Sequence, residues 1–146
     1  MSFLWGLVLT LNVLWFGAGF VYFTLMNRRS AALLVPRSAR DSPLFESIVA
    51  AMRFLGGFNL ALCLFALAIL VVPGVFDAPL ELALVATLFS IAHGSQFEGN
   101  VPVALGGGRI GEKYWPVLHG PMLFIFVVDG ALCLANAAFA MRWLSV

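Results

Sequence analysis

Charged side chains are what this sequence has least of. Only 10% of its 146 residues are Asp, Glu, Lys or Arg, against 62% that are hydrophobic. That is too little charge to coat a soluble globule of this length, so the chain must be solvated by lipid. The few charges nearly cancel, eight basic against seven acidic. A nucleic-acid binder needs a basic patch or stripe, so nucleic acid is excluded as a partner. Cysteine occurs twice, as Cys63 and Cys133, each in the middle of an apolar run, where a thiol packs as a small apolar group and makes no disulfide. Histidine also occurs twice. With neither Glu-x-x-His nor Cys-x-x-Cys spacing, His93 and His119 supply too few ligands for zinc or a di-iron centre, so neither a metal nor a resident cofactor is expected. No nucleophile stands at catalytic spacing from a base, and the chain does not read as an enzyme.

What the sequence has in quantity is long apolar runs. Four of them, about 3–26, 47–72, 79–97 and 117–141, approach or exceed the roughly 20 residues that cross a ~30 Å hydrocarbon core. The first has no charged side chain, no basic leader and no small-x-small cleavage site, and it outlasts a signal peptide's apolar stretch, so it is expected to be retained. Pro73 and Gly74 close the second. The fold class expected is therefore all-α and integral to the membrane: one domain spanning 1–146, an antiparallel four-transmembrane-helix bundle.

Basic residues orient that bundle. Arg28, Arg29, Arg37 and Arg40 fall between the first and second runs, Arg109 and Lys113 between the third and fourth, and only Arg142 lies on the opposite side. The positive-inside rule places both long loops in the cytoplasm and both termini on the non-cytoplasmic side, in the inner membrane if the source is bacterial. Trp5 and Trp143 then belong to the outer aromatic belt, and Tyr114 and Trp115 to the inner one. Arg53 lies ~9 Å inside the second run and is close enough to the cytoplasmic interface to snorkel back to it. His93 falls 6–8 Å before the inner end of the third run, at nearly the same depth, by the rise of ~1.5 Å per residue. Glu46, Glu98 and His119 gather at that same interface, where Glu46 or Glu98 is a natural partner for Arg53. A deeper layer holds Asn59, Thr87 and Asp129. Because Asp129, Cys133 and Asn136 recur at i, i+4 and i+7, they share one inward face. Gly6, Thr10, Gly17, Gly19, Gly56 and Gly57 are the small residues that let membrane helices approach closely.

The candidate ligand-binding residues are accordingly Arg53, Asn59, His93, Glu98, His119 and Asp129. The reading they favour is an accessory or scaffold protein that holds a lipid or another hydrophobic ligand, with a cytoplasm-side polar cluster. Its expected partners are membrane lipids and a partner membrane protein or further copies of itself. A rival reading is a membrane enzyme or proton-coupled carrier for an amphipathic anionic substrate, held by Arg53 and worked on or coupled through His93, Glu98 or Asp129. A third is a bis-histidine haem protein with His93 and His119 as axial ligands. The G-x-G-x-x-G match from Gly106 to Gly111 is not a nucleotide site, because no strand precedes it. The four arginines of 28–40 serve as the topology signal, with anionic lipid as the competing role.

An arginine opening the second helix in "RFLGGFNL", followed by a histidine near the inner end of the third, resembles the small four-helix membrane proteins of the DoxX-like group and the ergosterol-biosynthesis scaffold family. The residues that carry the resemblance are Arg53, Gly56, Gly57 and His93. It implies a non-catalytic bundle that holds lipids, sterols or partner enzymes. The long glycine-rich third loop and Asp129 depart from that pattern.

Overall fold

The structure is a computed structural model that describes residues 2–107, 109–110, 113–114 and 117–145. Five α-helices follow one another among the described residues: α1 (Phe3–Phe20), α2 (Asn27–Leu34), α3 (Pro43–Val71), α4 (Pro79–Leu105) and α5 (Gly120–Leu144). Four segments are long and apolar enough to cross a membrane, namely Phe3–Leu25, Pro43–Val71, Pro79–Leu105 and Gly120–Leu144. These are the four apolar runs of the sequence, and they fit a multi-pass integral membrane protein. A two-residue antiparallel ladder, β1 (Arg109–Ile110) with β2 (Lys113–Tyr114), lies in the loop before α5. Trp115, Gly108 and Gly111, which the aromatic-belt and glycine-motif readings involve, lie outside the described residues.

The helix limits depart from the sequence reading in four places. First, α1 passes into a π-helical turn at Val21–Leu25, closed by the Met26 N–H donating to the Val21 carbonyl at 3.1 Å. Second, the stretch expected to be a loop begins with α2. There the Arg40 guanidinium donates to the Val35 carbonyl at 2.8 Å and to that of Ala32, satisfying carbonyls that the end of a helix leaves without partners. Third, α3 begins at Pro43, four residues earlier than hydropathy suggests. Proline suits a first turn because its fixed φ is helical and its missing N–H would find no partner there anyway; α4 and α5 likewise carry proline at their starts, Pro79 and Pro121. Fourth, α4 runs through Phe97 to Leu105 in spite of Glu98, Gly99, Asn100 and Pro102. Pro102 removes one backbone donor, yet its own carbonyl accepts from the Gly106 N–H at 2.9 Å, so the helix carries on past it.

By their contacts the residues group into two compact units. One comprises residues 1–11 and 68–146, the other 12–67. In the second, Ala31, Phe45 and Met52 form a buried apolar cluster with Phe23, Ile48 and Val49 packed on it. Arg28 pairs with Glu46 at 2.8 Å and stacks over the Phe45 ring, so the Glu46 carboxylate is taken by Arg28, where a pair with Arg53 was one expectation. Two of the four loop arginines thus have structural work in addition to any topological one. In the same unit Gly56 faces Thr24, whose backbone nitrogen would lie 3.1 Å from an added Cβ, whereas Gly57 faces open space.

In the other unit, α4 and α5 pack along matched faces. Ser90, His93, Gly94 and Phe97 lie at i, i+3, i+4 and i+7 on one helix, as do Phe126, Asp129, Gly130 and Cys133 on the other. The Phe97 and Phe126 rings stack at 4.6 Å, and the Phe97 ring lies where a Cβ on Gly130 would meet it at 2.8 Å. Gly130→Ala is expected to destabilise the protein by about 1–3 kcal/mol, with Phe97→Leu restoring most of the loss. Gly57→Ala should stay within about 0.5 kcal/mol of wild type. Denaturation in mixed micelles measures all three.

Candidate functional site

The α4–α5 contact brings together two residues that the sequence reading assigned to different depths. His93 is the fifteenth of the 27 residues of α4. Asp129 is the tenth of the 25 of α5. Because α4 continues to Leu105, His93 is well inside its helix and level with Asp129, not near an inner end. His93 Nδ1 lies 2.9 Å from Asp129 Oδ1, with the two side chains 0% and 1% exposed. One turn away, the Ser90 hydroxyl donates to the Cys133 carbonyl at 3.1 Å. One turn the other way, the Phe97–Phe126 stack covers the pair. The site is therefore a short polar band between two apolar helices, closed by aromatic rings on one side.

Electrostatics dictate what such a band holds. A lone carboxylate in a medium this poor in dipoles is costly, and so is a lone imidazolium, but one proton shared on the Nδ1–Oδ1 line keeps the pair neutral overall. With the proton on nitrogen the imidazolium donates to the carboxylate; with it on oxygen the carboxyl donates to a neutral imidazole. Both arrangements use the same geometry. A site of this kind can tie two helices at a fixed register or hold a proton within the membrane.

The other candidates do not converge on this pair. Glu98 is exposed on α4, five residues beyond His93. His119 is exposed and sits in extended backbone just before α5, ten residues ahead of Asp129 and hence about 15 Å along the axis from the level of His93. The structure therefore does not bring the two imidazoles together as axial ligands of one iron. Among the described residues no group of three or more His, Cys, Asp or Glu forms a metal site. Arg53 and Asn59 belong to the other unit. Arg53 is exposed on α3, and Asn59 is buried, donating to the Leu55 carbonyl of its own helix at 2.8 Å. On α5, Asp129 and Asn136 are both buried, and Asn136 donates to the Leu132 carbonyl at 2.8 Å, in keeping with the inward face expected from their spacing.

No family model, curated protein or solved structure matches this chain. The resemblance carried by Arg53, Gly56, Gly57 and His93 thus gains no support from known proteins, and the site's role has to be argued from its own chemistry. The contributions of Ser90, Phe97 and Phe126 were not read from the sequence. The signal was available, since Ser90, His93 and Phe97 fall on one helical face, but an apolar run rich in Leu, Ala and Phe hides it.

Removing one member of the pair takes a buried hydrogen bond from the other. Asp129→Leu and His93→Leu are each expected to cost about 3–5 kcal/mol, and the double variant clearly less than their sum. Equilibrium unfolding of the four proteins in mixed micelles reads the coupling directly.

Proposed function

We propose that this chain is a small multi-pass membrane protein of the accessory type, an antiparallel four-span bundle with its termini on the non-cytoplasmic side. It holds a lipid or another hydrophobic ligand, or a partner membrane protein, and does not turn a substrate over. The observation that carries this reading is the use to which its buried polar groups are put. His93 and Asp129 bond to each other across α4 and α5, and Ser90 bonds to the same neighbouring helix. Polar groups directed at a substrate would converge on a cavity; these converge on each other. On this reading Arg53 snorkels to the cytoplasmic interface, and Arg29 and Arg37 serve the positive-inside signal.

A proton-coupled carrier is the second reading. What favours it is the depth of the pair: an ionisable couple in the interior of apolar helices is a common element of proton paths. The two readings part in reconstituted liposomes. The accessory reading expects no proton flux above that of empty vesicles between about pH 5 and 8, for wild type and Asp129→Asn alike, the interval in which a histidine titrates. Flux that is present in wild type and lost in Asp129→Asn would replace it with the carrier reading.

A further inference from the structure

A second site lies in the same unit as the His93–Asp129 pair. A cavity of about 590 Å³ is bounded by Trp5 of α1, Phe139, Arg142 and Trp143 of α5, and Asp77 and Leu82 at the start of α4. Its size suits a ligand of drug-like or lipid-headgroup dimensions, since ligand pockets run to ~300–1,000 Å³. Three features give it a chemical character. Trp5 is 1% exposed, packed against Phe139 at 5.2 Å and edge-on to Trp143 at 4.8 Å, so its ring is fixed. That ring offers the cavity an apolar wall, its indole N–H being buried. Lastly, Arg142 and Asp77 both line the cavity, and neither forms an ion pair among the described residues.

Arg142 and Asp77 thus bring one charge of each sign to a cavity whose wall is aromatic. We propose that this cavity binds a zwitterionic amphiphile. Its anionic oxygen sits near Arg142, its ammonium near Asp77, and its apolar segment against Leu82, Phe139 and the Trp5 ring. An anion alone would leave Asp77 facing like charge, and a cation alone would leave Arg142 so. An apolar ligand would leave both charges without a partner. The proposal deepens the ligand-holding reading above, and rests on it, by naming the ligand class and a place for it. The same chemistry has two sources, the head of a membrane phospholipid or a free small zwitterion.

Native mass spectrometry of the delipidated protein in mild detergent tests it. The probes are short-chain phosphatidylethanolamine, short-chain phosphatidylglycerol, which has no ammonium, and phosphoethanolamine, which has no tail. Saturable binding of phosphatidylethanolamine is expected, weakened about tenfold by Arg142→Gln, the equivalent of one charge-assisted hydrogen bond. Asp77→Asn should weaken phosphatidylethanolamine by a similar factor and strengthen phosphatidylglycerol, whose anion no longer faces a like charge; a merely structural role for Asp77 would move both the same way. Phosphatidylethanolamine bound in preference to phosphoethanolamine makes the ligand a lipid; equal binding, with the same response to the variants, makes it the soluble zwitterion. Absence of saturable binding, or binding equal in all variants, would overturn the proposal. Variant-sensitive binding with conversion of the adduct to a new mass would keep the site and remove the accessory reading.

Discussion

Hydrocarbon offers no hydrogen bonds, so a polar side chain buried between membrane helices has to find its partner in the protein. In the α4–α5 pair this constraint falls on a carboxyl and an imidazole, 2.9 Å apart and both excluded from solvent. Their partnership fixes which residues face each other above and below. Ser90 then reaches the Cys133 carbonyl, Gly94 lies over the Cys133 sulfur, and Phe97 stacks on Phe126 across Gly130. A slip of one helical turn would move these contacts ~5.4 Å and leave Asp129 against an apolar surface. Dispersion along the rest of the interface is comparatively tolerant of register, so the polar pair supplies the specificity that leucine and alanine do not.

The unit formed by residues 12–67 meets the same constraint in other ways. Asn59 turns its amide back onto its own helix at Leu55. Arg40 closes the carbonyl end of α2, and Arg28 divides its guanidinium between Glu46 and the Phe45 ring. The last pair is exposed and contributes little by itself. Its value lies in holding α2 against the start of α3, where Ala31, Phe45 and Met52 are packed. Two of the basic residues that the positive-inside reading counts, Arg40 and Arg28, therefore also serve as a cap and a clamp.

Hydropathy made the four spans legible, because lipid imposes the same demand on every residue of a crossing helix. It made their ends less legible. Glu98, Gly99, Asn100 and Pro102 are individually poor helix residues, and they place a stop at Phe97 that the structure passes by two turns. That single displaced boundary put His93 near an interface and Asp129 in a deeper layer, and so hid their pairing, although the inward face of Asp129, Cys133 and Asn136 was plain from spacing. α2 escaped notice because it has only eight residues and is polar on average, too short for its amphipathic pattern to stand out beside the four apolar runs. The cavity beside Trp5 depends on residues from three distant stretches, Trp5, Asp77 and Arg142 among them, and no local pattern announces it.

The account depends on the pair between α4 and α5 being made in a bilayer. Solid-state magnetic resonance of isotope-labelled protein in lipid vesicles observes it directly, since only two histidines are present to assign. The prediction is a dipolar coupling between His93 Nδ1 and the Asp129 carboxyl carbon of the strength that hydrogen-bonded partners give, abolished in Asp129→Leu. An His93 ring coupled to no carboxyl carbon, or coupled to Glu98, would contradict it.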